Sequence, residues 1–178
     1  MKYLIASDVH GSAYYMQKII DLFNIEKADK LILLGDIYNH GPRNPLPQDY
    51  APMKVSEMLN QMVDKLIVVK GNCDSQVDTM ISNFDFVENA VIDCQNKSVF
   101  LTHGHVYNKD SKPKTKFDAV IYGHFHTGFI EKIDGTAYVN TGSVSLPKND
   151  TPCSYVMLEN QTIILKDIAG KIIESIEL

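Results

Sequence analysis

The chain has 178 residues, 44% of them hydrophobic, with a formal net charge of -5; that is enough for one domain, residues 1–178, burying roughly 70% of the surface its unfolded chain exposes. No long basic run is present, so the clustered cations that displace counterions from a nucleic-acid backbone are missing and long nucleic acid is not an expected partner. Cys73, Cys94 and Cys153 are odd in number and widely spaced, which suggests neither a disulfide framework nor a thiolate zinc site.

Lys2 to Ser7 reads as a first strand, and Ser12 as the cap of a helix whose apolar positions Met16, Ile19, Ile20 and Phe23 recur at helical spacing. Asp8 and His10 fall between them. Asp29 to Leu34 supplies the second strand of a βαβ unit, which favours a parallel pair. Four of the seven prolines, Pro42, Pro45, Pro47 and Pro52, then make Ile37 to Pro52 an irregular but stiff loop. It leaves Asp36 carrying His40, Arg43 and Asn44, and is read either as the wall of a substrate pocket or as a surface excursion.

Val55 to Met62 is a predicted helix, Leu66 to Val69 a short buried strand, and Gln76 to Ile81 a brief helix. Val91-Ile92 and Ser98 to Thr102 flank a turn at residues 95–97, while Asn108 to Lys116, polar and interrupted by Pro113, is an exposed loop. After His126 the texture becomes β. Phe129 to Ile133 and Thr136 to Val139 flank Asp134-Gly135, a two-residue hairpin loop, and Ser154 to Leu158, Thr162 to Asp167 and Lys171 to Ile176 follow as short strands. The expected architecture is α/β, with an α/β front half and a mainly antiparallel second half. It forms two sheets packed face to face with helices outside.

Five apolar runs end alike, in a metal-capable side chain beside a glycine. Tyr3 to Ala6 leads into Asp8-Val9-His10-Gly11, and Leu31 to Leu34 into Gly35-Asp36. Leu66 to Val69 leads into Gly71-Asn72, Val99 to Leu101 into His103-Gly104, and Val120 to Tyr122 into Gly123-His124-Phe125-His126. Each junction alone is commonplace. Together they predict that strand ends deliver Asp8, His10, Asp36, Asn72, His103, His124 and His126 to one point, the crevice where open α/β sheets bind ligands. So many donors require two ions, with Asp36 as the bridge. Asp8, His10 and His126 would serve one ion, and Asn72, His103 and His124 the other. Carboxylate, amide and imidazole without thiolate suit manganese, iron or zinc better than calcium or copper.

The ordered series, with Ser7-Asp8-Val9-His10-Gly11, Gly35 to Asn44, Gly71-Asn72-Cys73-Asp74 and Thr102-His103-Gly104-His105, resembles the calcineurin-like metallophosphoesterase superfamily, and within it the small bacterial YfcE-type phosphodiesterases. The resemblance implies a four-layer α/β/β/α sandwich of two mixed sheets, the ligand division just given, and two divalent ions, manganese first, with zinc, iron or nickel as alternatives. It also implies that His105 contacts phosphate or orients a ligand. In many such proteins a His paired with a nearby acid follows the ligand Asn and assists the leaving group. Here Cys73 and Asp74 stand there, so the catalytic set reads Asp36, Asn72, Cys73 and Asp74, and substrate contacts fall to His40, Arg43, Asn44 and His105.

The expected function is hydrolysis of a small phosphodiester by a bridging hydroxide at a binuclear site. The alternatives are a nucleotide or dinucleotide phosphatase, a nuclease, or a non-catalytic scaffold of the same fold, as in the retromer subunit. No stretch approaches the roughly 20 apolar residues of a membrane span, and residues 1–7 do not form a signal peptide. A soluble, cytoplasmic protein is expected, and the resemblance allows a homo-oligomer.

Overall fold

The computed structural model describes residues 1–178. The elements run β1 (Tyr3–Ala6), α1 (Ala13–Ile25), β2 (Lys30–Leu33), α2 (Pro52–Asn60), β3 (Leu66–Val69), β4 (Phe86–Val87), β5 (Ala90–Asp93), β6 (Ser98–Leu101) and β7 (Ala119–Tyr122). β8 (Gly128–Ile133), β9 (Thr136–Thr141), β10 (Ser154–Glu159), β11 (Thr162–Asp167) and β12 (Ile172–Glu177) complete the chain. No helix is long and apolar enough to cross a membrane.

Seven strands form the first sheet in the order β12-β11-β10-β1-β2-β3-β4, and five form the second in the order β5-β6-β7-β9-β8. β1 to β4 pair in parallel, as the βαβ reading requires, and β10 to β12 continue the sheet antiparallel. The inner strands are apolar throughout because both of their faces are covered. Leu4, Ala6, Leu31 and Leu33 face α1 and α2. Tyr3, Ile5, Ile32 and Leu34 face the second sheet, against Val99, Leu101, Ile121 and Val139. Each such fully buried side chain contributes about 1.5–3 kcal/mol relative to exposure.

Ser12 caps α1 as expected, its hydroxyl accepting from Tyr15 N at 3.2 Å. α2 starts at Pro52 rather than Val55, because a proline has no N–H to lose in a first helical turn. Asp134 and Gly135 both adopt left-handed backbone, at φ 52° and 86°, which closes the β8–β9 hairpin.

Two features depart from the sequence reading. The second half is not mainly antiparallel in its second sheet, where β6, β7 and β9 run parallel and the β8–β9 hairpin docks with β9 inward. This aims the carboxyl ends of β6, β7 and β9 the same way. The outer face of that sheet, with Phe100, Val120, Tyr122 and Tyr138, is roofed by Tyr107 and Phe117 of the segment between β6 and β7, which contains no helix. β4, two residues long, carried too short a pattern to predict.

The end of α1 is tied to the first sheet by Glu26, whose carboxylate accepts from Lys166 Nζ at 2.7 Å and from the Tyr155 hydroxyl at 2.9 Å. Burial works to raise this carboxyl, but the bonds from Lys166 and Tyr155 outweigh it and hold it below the ordinary glutamate range. The stabilisation is therefore present above pH 4.5 and lost as acid protonates the folded group. Glu26→Gln is expected to cost about 1–2 kcal/mol at pH 7. Urea titrations at pH 7 and pH 3 should show a smaller acid-induced loss in the variant than in the parent.

Candidate metal centre

The carboxyl ends of β1, β2, β3, β6 and β7 open on one crevice, and the residues that follow them meet there. His126 Nε2 lies 3.1 Å from His10 Nε2 and 3.3 Å from Asp8 Oδ1. His10 Nε2 stands 3.7 Å from Asp8 Oδ1 and 3.8 Å from Asp36 Oδ2. On the other side, His103 Nε2 lies 3.0 Å from Asn72 Oδ1, 3.5 Å from Asp36 Oδ1 and 3.3 Å from His124 Nδ1. Asp36 thus sits between two donor groups, and all seven residues expected to converge do so.

Hydrogen bonding fixes which atoms point inward. The Nδ1 atoms of His10, His126 and His103 each face a backbone carbonyl, that of Asn39 at 2.8 Å, Leu146 at 2.6 Å and Leu34 at 2.6 Å. A carbonyl can only accept, so each Nδ1 carries a proton and each Nε2 is the ring nitrogen left facing the crevice. Asp8 Oδ2 accepts from His124 N at 2.8 Å, whereas Asp8 Oδ1 is buried with no donor, despite His126 Nε2 nearby. Two imidazole nitrogens and a carboxylate oxygen thus crowd within 4 Å of one another. This donor set fits a divalent cation.

Electrostatics agree. Burial pushes His124 down to about 4, with His103 adding to the effect, and burial lowers His10 as well. Burial would raise Asp8, yet His126, His103 and His10 hold it well below the usual carboxylate range. At neutral pH His10 and His124 are therefore neutral and Asp8 is ionised, the protonation states that ligate metals.

The local backbone is strained to achieve this. Asp8, His10, Asp36, His124 and His126 all have left-handed φ, between 52° and 67°. Glycines permit the strand ends to crowd: a Cβ on Gly71 would overlap Asp36, and one on Gly123 would overlap Ser7 and stand 2.5 Å from Asp8 Oδ2. Ser143 and Ser145 grip the Asp8 carbonyl with their hydroxyls at 2.8 and 3.0 Å. They steady the loop from below rather than touching the crevice.

The crevice opens into a cavity of about 730 Å³, walled in part by Arg43, Asn44 and Cys73. His40 does not line it, because its ring packs edge-on to Tyr50 at 5.3 Å with Nδ1 buried. Asp74 also lies outside it. Its carboxylate accepts from Asp36 N, Ile37 N and Gly71 N at 2.7–2.8 Å, binding the ends of β2 and β3 together, and burial pushes it up to about 6. The Asp74 side chain thus faces the ends of β2 and β3 rather than the cavity. His105 is exposed beside His103 and His124, with ring centroids 5.3 and 6.2 Å away, and is not part of the cavity wall. Asn39, Phe125 and Lys148 line the cavity and were not singled out in the sequence. Lys148 lies 22 positions beyond His126 on a different loop, where no local spacing connects the two.

Fold and cradle together define a metal-dependent phosphoesterase. The family model of the calcineurin-like phosphoesterase superfamily domain matches residues 1–162, and the chain belongs to that superfamily. It is 42% identical over 167 residues to phosphodiesterase YfcE of Escherichia coli K12, covering 92% of this chain and 90% of that one. The solved structure of the E. coli phosphoesterase Yfce matches with a TM-score of 0.95 at 39% identity, covering 99% of both chains. Vacuolar protein sorting 29 from Cryptosporidium parvum, at 19% identity, a TM-score of 0.70 and coverage of 99% and 98%, shares the fold.

Proposed function

We propose that the chain hydrolyses small phosphodiesters with two divalent cations, manganese foremost. Asp8, His10 and His126 would hold one, Asn72, His103 and His124 the other, and Asp36 both. The observation that carries this reading is the buried convergence of Asp8 Oδ1, His10 Nε2 and His126 Nε2. A bound pair of such ions supplies a hydroxide nucleophile at neutral pH and neutralises charge on the phosphate.

The chain's own residues do the rest. Imidazoles fixed by backbone carbonyls keep their Nε2 atoms aimed without rearrangement, so the cradle is organised before substrate arrives. Asn72 turns its amide oxygen to His103 Nε2 while its amide nitrogen donates to Cys73 Sγ at 3.3 Å. Burial, with Asp36 alongside, pushes the Cys73 thiol up to about 12, so it stays protonated and uncharged at pH 7 and is a weak acid for a leaving alkoxide. Arg43 and Asn44, on the cavity wall, orient the substrate, with His105 at the outer edge beside His103. The name of the E. coli relative supports a diester substrate, and three free thiols suit the reducing cytoplasm.

In the test, manganese-loaded protein should turn over bis(p-nitrophenyl) phosphate at least tenfold faster than p-nitrophenyl phosphate, judged by kcat/KM. A loaded protein inactive on the diester overturns the proposal. Cys73→His, which places an imidazole where the thiol stands, is expected to raise monoester turnover about tenfold, within the range of general acid catalysis. An unchanged monoester rate would place the diester bias elsewhere.

A further inference from the structure

The outer part of the cavity carries more positive charge than a simple diester requires. Arg43 and Lys148 are the only lysine or arginine side chains in its wall, and Asp36 is the only carboxylate. Neither cation is spent on an ion pair, since the salt bridges of the chain to lysine use Lys2, Lys54, Lys97, Lys109, Lys112 and Lys166. Arg43 is also the single arginine among 17 lysines and arginines. A guanidinium offers a planar fork that matches phosphate oxygens in pairs, which an ammonium does not.

Both residues sit on anchored backbone. Lys148 N donates to the carbonyl of His126 at 2.9 Å, and its own carbonyl accepts from Thr151 Oγ1 at 2.7 Å. On the opposite loop, Asn44 Nδ2 donates to the His40 carbonyl and Gly41 N to Asn39 Oδ1, each at 2.8 Å. In the same cavity wall Phe125, 43% exposed and braced edge-on by His124 and Tyr122, offers a planar apolar surface.

Charge balance then decides what the wall is for. On the reading proposed above, two divalent cations set against Asp8, Asp36 and the hydroxide leave one positive charge, which a singly charged diester already neutralises. Two further unpaired cations on the cavity wall need another anion. We propose that Arg43 and Lys148 form a second anion subsite, which takes a phosphate group carried on the same molecule as the scissile diester. The substrate class is a nucleotide-sized diester bearing a second phosphate, with its planar portion against Phe125. A cavity of about 730 Å³ accommodates such a molecule.

The test compares p-nitrophenyl thymidine 5′-phosphate with the same compound carrying a 3′-phosphate, on manganese-loaded protein. In parallel, calorimetry compares binding of thymidine 5′-phosphate and thymidine 3′,5′-bisphosphate. The second phosphate should raise kcat/KM and affinity at least tenfold. Arg43→Lys, which keeps the charge but loses the fork, and Lys148→Met should each cut that advantage at least fivefold. Equal kinetics and affinity for the two members of each pair, or an advantage that survives both substitutions, overturns the subsite while leaving the phosphodiesterase reading intact. If neither ester is hydrolysed, that reading falls and the subsite with it.

Discussion

Asp36→Asn should lower kcat on bis(p-nitrophenyl) phosphate by about a thousandfold, roughly 4 kcal/mol of transition-state stabilisation. The purified variant should also carry about one manganese fewer per chain. The substitution changes almost no volume, so the effect isolates charge. Asp36 Oδ1 accepts from Cys73 N at 2.8 Å and lies 3.5 Å from His103 Nε2, while Oδ2 lies 3.8 Å from His10 Nε2. It is the one carboxylate with an oxygen toward each donor group. An amide there keeps one acceptor for Cys73 but turns two hydrogens toward the cations. The fold has little reason to change, because the Asp36 backbone is held independently, its N–H by Asp74 and its carbonyl by His10 N at 2.9 Å. Metal analysis, kinetics and thermal unfolding of the metal-free forms check this together. A variant with full metal content and more than a tenth of parental turnover would place the shared ligand elsewhere.

Most of the site could be read from the sequence because its logic is local. An apolar strand followed by a donor within a residue or two of a glycine that lets the backbone crowd forms a short, local pattern. It located all seven cradle residues, including Asn72 and His124, which lie 52 positions apart. What stayed hidden depends on contacts between distant segments. The histidine Nε2 atoms are aimed by carbonyls of Asn39, Leu146 and Leu34, groups without any side-chain signature. Ser143 and Ser145 form a hydroxyl-rich turn in the sequence, and only the fold places them under Asp8.

The setting of Asp74 depends on distant segments in the same way. An acid next to a site residue reads as catalytic, yet its three backbone donors come from two different strand ends. The parallel seat of β9 was equally unreadable. The Asp134-Gly135 turn specifies a hairpin but not which of its strands docks against β7.

Removing metal should abolish turnover and lower the melting temperature by about 5–10 °C, both restored by manganese. Five cradle residues occupy left-handed backbone, which costs a non-glycine residue of order 1 kcal/mol. Without cations, Asp8 Oδ1, His10 Nε2 and His126 Nε2 also oppose one another within 4 Å. Bound cations convert that opposition into ligation and bind the folded chain alone. At a hundredfold excess over its dissociation constant one ion adds about 2.7 kcal/mol, and each kcal/mol moves the melting point of a chain this size by about 2–4 °C. Acid should act in the same direction. His124 is held down to about 4 against an ordinary 6.5, so between those values the unfolded chain takes up a proton that the folded chain refuses, and stability falls as pH drops through that window. Protons then compete with metal for the same nitrogens, so more manganese should be needed to restore the melting point at pH 5 than at pH 7. Differential scanning calorimetry with and without chelator at both values provides the check. A melting point indifferent to chelator, or restored equally by calcium, would mean that the imidazole-rich cradle is not where the cations bind.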